Sequence, residues 1–260
     1  MKKLLILLSI FVLSACGTPV EDVQPLVVGM ELAYPPFETK NDAGEAMGVS
    51  VDIATAFGEY LGREVIIENI NWTGLIPALE TEKVDMVISS MTITEKRKES
   101  VDFSEPYASA YLAFLVNKTS EVGSTDELNA SDQVIAVKTG STGDSYVTSH
   151  YPLATILRLD DESAAMAEVL NERADAFIYD QLTIYRNVSA NADVLSALYI
   201  PNQVAEGWGA AFKLDNPLRD EFNAFLVEFK AQGGFETITQ THLKEEKATF
   251  DALGFTFFFE

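Results

Sequence analysis

The stretch VISSMTITEKR, Val87–Arg97, takes an apolar run (Val84, Met86, Val87, Ile88) into two serines, then Thr92 and Thr94, then the charged segment Glu95–Lys98. A buried strand that ends in hydroxyls has a chemical reading. In open α/β sheets, ligands collect beyond the carboxyl ends of strands, where loop amides and helix N-termini point outward. Thr94 is placed to cap a helix beginning at Glu95. Arg97 then falls in the first turn, where a cation opposes the helix dipole. Aiming Arg97 at an anion accounts for that local penalty, and a guanidinium is the natural two-point partner of a carboxylate. Ser90 and Thr92 would add hydrogen bonds. A solvent-facing arginine is the competing reading.

Two further clusters bear on the choice. VKTGSTGD, Val137–Asp144, is a strand followed by a Gly/Ser/Thr loop, which offers several backbone N–H groups to one anion. It is too short and wrongly ordered for a nucleotide phosphate loop. ADAFIYDQL places Asp180 at the end of a buried strand, where a carboxylate needs a partner. One carboxylate receptor plus one isolated acid matches the zwitterion of an α-amino acid. The two histidines, His150 and His242, lie in unrelated segments. No Ser–His–Asp arrangement, metal set or cofactor motif is therefore expected.

The elements that must carry these residues are legible from periodicity. LVVGM (Leu26–Met30), VIIEN (Val65–Asn69) and VDMVISS read as strands. Between them lie two helices, VSVDIATAFGEYLG and GLIPALETEK. In the first, Ser50 is expected as N-cap and Gly62 as stop. A second α/β series runs through YLAFLVN, QVIAVKTGSTG, ESAAMAEVLNER and ADAFIYD, and PNQVAEGWGAAFKL reads as a crossing followed by a strand. Leu218, Phe222, Phe225, Leu226 and Phe229 repeat at helical spacing and predict a core-facing stripe. Two α/β stretches with a return segment imply two lobes and a cleft.

The 260 residues carry a net charge of −22, which argues against nucleic acid and anionic lipid surfaces as partners. The start, MKKLLILLSIFVLSAC, has two lysines, an apolar run over 4–13 and a small-residue end. It has the shape of a secretory signal rather than a membrane span. Its end resembles a bacterial lipobox, which implies cleavage after residue 15 and lipid on Cys16, the single cysteine. An ordinary signal with a chance cysteine is the alternative. Removing residues 1–15 takes away two lysines and no acid, moving the charge from −22 to −24. Residues 16–25 then read as the lipidated cysteine and its linker.

Read together, AYPPFE (Ala33–Glu38), the run Asn71–Tyr107, AVKTGSTGD and ADAFIYDQ resemble, in the right order, the periplasmic solute-binding proteins of polar amino acid ABC transporters, the family of the histidine- and glutamine-binding proteins. The resemblance covers about residues 26–243. It implies a type II periplasmic-binding-protein fold: two mixed-sheet α/β lobes joined by two hinge strands and closing on ligand. Lobe one would hold 26–110 and 206–260, lobe two 111–205. The resemblance assigns the α-carboxylate to Arg97 and the amides of Thr92 and Thr142. It assigns the α-ammonium to Asp180 with Ser90. Tyr34 and Trp72 would wall the ligand side chain, with Ser89, Ser141 and Met91 in the lining. It further implies an extracytoplasmic monomer that takes a free L-amino acid and hands it to a membrane permease. The tail, Lys244–Glu260, extends past the usual ending and is expected to pack on lobe one.

Specificity rests on Glu31 and Lys138, placed by the resemblance on two sides of the side-chain pocket. With Arg97 and Asp180 they sum to zero formal charge, which suits a neutral side chain. An amide satisfies both, donating to Glu31 and accepting from Lys138. A glutamine-like ligand is favoured, with arginine or lysine as the alternative. A cyclohexadienyl dehydratase-like enzyme is a distant alternative, since some relatives of the fold share the carboxylate-binding arginine; it requires a general acid in the cleft.

Overall fold

The structure, a computed structural model, describes residues 23–259. The expected signal segment and Cys16 lie outside the described residues. Among those described, no helix is long and apolar enough to cross a membrane.

The chain opens with β1 (Leu26–Met30), the short pair β2 (Thr39–Lys40) and β3 (Ala46–Met47), α1 (Val49–Leu61) and β4 (Val65–Asn69). It continues through α2 (Leu75–Glu80), β5 (Met86–Val87), α3 (Glu95–Lys98) and β6 (Val101–Phe103) to the crossing strand β7 (Ala108–Ala110). Then come β8 (Leu112–Asn117), β9 (Val134–Lys138), α4 (Thr142–His150), β10 (Thr155–Leu159), α5 (Glu162–Leu170), β11 (Ala176–Asp180), α6 (Gln181–Ala190) and β12 (Leu195–Tyr199). The return strand β13 (Glu206–Trp208) leads to β14 (Ala211–Lys213), α7 (Leu218–Ala231), α8 (Gly234–His242) and α9 (Lys244–Leu253).

Two five-stranded sheets result, ordered β4-β1-β5-β14-β6 and β10-β9-β11-β8-β12. Each is mixed. In the first, β1 runs parallel to β4 and β5 while β14 is antiparallel to β5 and β6. In the second, β9 is parallel to β10 and β11 while β8 is antiparallel to β11 and β12. The strands β7 and β13 pair antiparallel with each other where the chain passes between the lobes. This is the type II periplasmic-binding-protein architecture.

Local chemistry explains several element ends. Thr94 caps α3 by accepting the Arg97 N–H at 3.2 Å, as its spacing predicts. Gly62 ends α1 in the left-handed region, φ 66°. Ser50, however, is not the N-cap of α1. That position belongs to Gly48, at φ 122°, where an added Cβ would lie 2.5 Å from the carbonyl oxygens of Pro36 and Phe37. Only glycine fits, and Ser50 is freed to point its hydroxyl inward. The predicted stripe on α7 is apolar core: Phe222, Phe225 and Leu226 are buried and Phe229 packs against them.

The tail packs as expected against the first lobe. α9 and the segment after it bury Phe250, Phe257 and Phe258 in the same apolar cluster as Phe37 and Trp208. Phe258 meets Phe37 edge-on at 4.9 Å between centroids, and its carbonyl accepts the Ser109 N–H of β7 at 2.8 Å. The tail also reaches the second lobe, through Phe255 against Tyr199 and an ion pair between Glu246 and Arg186 of α6.

Candidate functional site

The cleft between the two sheets holds a cavity at the carboxyl ends of β1, β5, β9 and β11. Eleven of the twelve residues expected from the sequence line it. Glu31, Tyr34, Trp72, Ser89, Ser90, Thr92 and Arg97 come from the first lobe; Lys138, Ser141, Thr142 and Asp180 come from the second. Met91 does not. Its side chain is buried with Leu75, Leu79, Val84 and Val101 beneath the sheet. Ser90 and Thr92 on either side of it face the cleft, while Met91 points into the apolar core.

Arg97 spans the cleft. Nη1 donates to the Thr92 carbonyl at 2.6 Å and Nη2 to the Gly140 carbonyl of the second lobe at 3.1 Å. Burial lowers its pKa to about 10, against the opposing pull of Glu206 and Tyr179, so it is a cation at pH 7. The Trp72 ring lies 5.1 Å from the Arg97 guanidinium and 5.4 Å from Lys138 Nζ, close enough for cation–π attraction to both.

Asp180 has two distinct oxygens. Oδ1 caps α6, accepting from Leu182 N at 2.9 Å and Thr183 N at 3.1 Å. Oδ2 is buried with no hydrogen-bond partner, as is the neighbouring hydroxyl of Tyr34. Burial raises the Asp180 pKa, while the nearby Tyr34 hydroxyl and the cap hydrogen bonds oppose the shift. Asp180 Oδ2 is an acceptor without a partner in the cleft lining, where buried polar groups ordinarily have one.

Lys138 and Glu31 face each other across the lobes as an ion pair, with side chains 5% and 12% exposed. Glu31 Oε2 takes the lysine, and Oε1 accepts the backbone N–H of Trp72 at 3.1 Å. On the second lobe, Ser141 caps α4 by accepting Asp144 N at 3.1 Å. That sets Thr142 at the amino end of the helix, where N–H groups have no partner within the helix.

Two acids in the lining were missed. Glu206, on the return strand β13, accepts the Thr92 hydroxyl at 3.3 Å. Burial raises its pKa, while the hydroxyls of Thr142 and Thr92 and the charge of Arg97 pull it back. Glu38 is 1% exposed and its pKa is pushed up to about 8, by burial above all, with the Ser50 and Ser90 hydroxyls and the Lys138 charge opposing. The zero charge balance drawn from four residues is therefore incomplete: at pH 7 Glu38 is mostly neutral and Glu206 adds an acid. Glu38 stood in the AYPPFE segment, but nothing local distinguished its carboxyl from a surface one.

The cavity between the lobes of this α/β protein gathers a buried arginine, an acid with one unpaired oxygen and an ion pair, so charges of both signs face one small space. Residues 26–245 match the model of the bacterial extracellular solute-binding proteins, family 3, and the chain belongs to that family. It is 31% identical over 260 residues to the arginine-binding extracellular protein ArtP of Bacillus subtilis (strain 168), covering 95% of this chain and 100% of ArtP. It is 28% identical to the ABC transporter glutamine-binding protein GlnH of the same organism, covering 94% and 97%. A solved structure of an ancestral arginine-binding protein bound to arginine superposes with a TM-score of 0.77 at 31% identity, covering 84% of this chain and 98% of the other.

Proposed function

We propose that this protein captures a neutral polar amino acid outside the cytoplasm, with glutamine as the best fit, and delivers it to an ABC permease. The observation that carries the ligand reading is the buried pair Lys138–Glu31. Each charge is already compensated by the other, so a cationic or anionic side chain would have to break the pair and strand one of its members. An amide adds to the pair without breaking it, accepting from Lys138 and donating to Glu31.

In this reading Arg97 binds the α-carboxylate with the N–H groups of Thr92 and Thr142. Asp180 Oδ2 and Ser90 take the α-ammonium. Tyr34 and Trp72 wall the side chain, and Ser89 and Ser141 line the rest. The moving parts are 26–110 with 206–260, and 111–205. The protein works as a monomer, anchored by lipid on Cys16, and binds without chemical conversion.

A second reading, a cationic ligand, draws support from Glu206, a further carboxyl in the cleft lining, and from the arginine-binding relatives. Calorimetry of residues 16–260 against the twenty standard amino acids separates them. Glutamine should bind tightest; arginine or lysine binding about tenfold more tightly than glutamine would establish the cationic reading.

A further inference from the structure

The carboxyl of Glu38, in the floor of the cleft, meets three serines. Its Oε2 accepts from Ser50 Oγ at 2.6 Å and from Ser90 Oγ at 3.1 Å, and its Oε1 lies 3.4 Å from Ser89 Oγ. Ser89 Oγ in turn accepts the Glu31 N–H at 3.0 Å, and the Ser90 N–H donates to the hydroxyl of Tyr107 at 3.2 Å. One buried carboxyl thereby ties together helix α1 through Ser50, the turn after β5 through Ser89 and Ser90, and the residue after β1 through Ser89. Two of those pieces line the ligand cavity. The turn also needs holding: Ser90 sits at φ 48°, a left-handed conformation that a serine seldom adopts without support.

We propose that Glu38 is a positioning residue for ligand capture. It fixes the Ser90 hydroxyl and, through Ser89, the backbone of Glu31 in the geometry that receives the amino acid. This inference rests on the cleft being the amino-acid site, and not on which amino acid it prefers. The charged groups nearest the carboxyl are Glu31 and Lys138, with the Tyr107 hydroxyl beside it. Largely neutral at pH 7, Glu38 has the hydrogen-bonding pattern of an amide: one oxygen accepting from Ser50 and Ser90, and one donor free for Ser89 Oγ. Glutamine at this position reproduces that pattern and alanine removes it. A carboxyl that served only to stabilise the packing of α1 would change melting temperature without acting through Ser90 on affinity.

The test is calorimetry at pH 7 with L-glutamine and, in parallel, L-arginine on wild type, Glu38→Gln, Glu38→Ala, Ser90→Ala and the double alanine variant. Glu38→Gln should bind within about threefold of wild type and Glu38→Ala should lose about tenfold or more, as expected for a positioned hydrogen bond. Because Glu38 acts through Ser90, the double variant should be within about threefold of the weaker single variant. Wild-type affinity in Glu38→Ala, or two losses that multiply in the double variant, overturns the proposal. Should Glu38→Ala not fold, Ser50→Ala decides: Ser50 is buried outside the cavity, yet its loss should weaken binding by about three- to tenfold, and unchanged affinity overturns the proposal. All effects are ratios to wild type with the same titrant. A preference for arginine therefore overturns the glutamine reading alone, and a wild type that binds neither overturns both.

Discussion

Arg97 of the first lobe donates to the carbonyl of Gly140 in the second at 3.1 Å, so the guanidinium that faces the cavity also ties the lobes together. A ligand carboxylate binding Arg97 would therefore act at the point where the lobes meet, which links occupancy to closure. Arg97→Ala should reduce affinity by about 3–5 kcal/mol, roughly a hundred- to a few thousand-fold, because a buried carboxylate loses its partner. Arg97→Lys should recover only part of this, since an ammonium lacks the planar fork. Thr94→Ala should instead cost about 1 kcal/mol of stability as a lost cap, with affinity largely kept. Calorimetry and denaturant titration on the same variants separate the two effects; Arg97→Ala binding like wild type would remove it from the carboxylate site.

The Lys138–Glu31 pair predicts a change of rank order rather than a simple loss. Lys138→Met leaves Glu31 uncompensated and should shift preference toward arginine and lysine. Glu31→Gln leaves Lys138 uncompensated and should improve the relative binding of glutamate. A competition series with glutamine, arginine, lysine and glutamate reads both shifts. An unchanged ranking in Lys138→Met would take Lys138 out of the specificity pocket.

Stability should fall with rising pH through Glu38. Its pKa is raised from 4.5 to about 8 in the folded state. Between those values the unfolded chain has lost the proton and the folded protein keeps it, so the native state binds more protons and the free energy of unfolding drops as pH increases. The loss is on the order of a few kcal/mol at most. Glu38→Gln does not titrate and should show a flatter melting temperature from pH 5 to pH 8 than wild type. Identical profiles would mean that the carboxyl is not held neutral in the fold.

The tail and the second lobe meet through Arg186, which donates to the Pro35 carbonyl of the first lobe at 2.8 Å and pairs with Glu246 of α9. Both contacts cross the cleft, so Arg186→Ala should favour the open arrangement. The Arg186 side chain is 38% exposed, and the effect should be modest, about two- to fivefold in affinity. Small-angle scattering at saturating ligand should still show compaction. Phe258→Ala, by contrast, empties a fully packed site beside Phe37 and Trp208 and should cost about 3–5 kcal/mol of stability. A loss of less than about 1 kcal/mol would show that the tail contributes little to the first lobe's core.

Ligand-linked closure itself is testable. Scattering profiles with and without the tightest-binding amino acid should differ, with the smaller radius in its presence. Coincident profiles at saturation would count against hinge closure.

The sequence by itself determined what depends on near neighbours along the chain. Thr94 and Arg97 are three residues apart, so cap and cation could be placed together from spacing alone. The strand that leads toward Ser89 and Ser90 (β5 itself stops at Val87), the loop that opens α4, the position of Asp180 at the end of β11 and the stripe on α7 follow from periodicities of a few residues. The tertiary structure decided what depends on distant partners. Glu38 meets Ser90 across 52 residues and Glu206 meets Thr92 across 114, and no local pattern marks a glutamate whose environment is assembled from other elements. Which face Met91 presents, why Gly48 rather than Ser50 caps α1, and the two oxygens of Asp180 were settled the same way. A carboxyl's burial, protonation and partners belong to the packed cleft and not to the residue, because desolvation and hydrogen bonding act only once the chain brings their sources together.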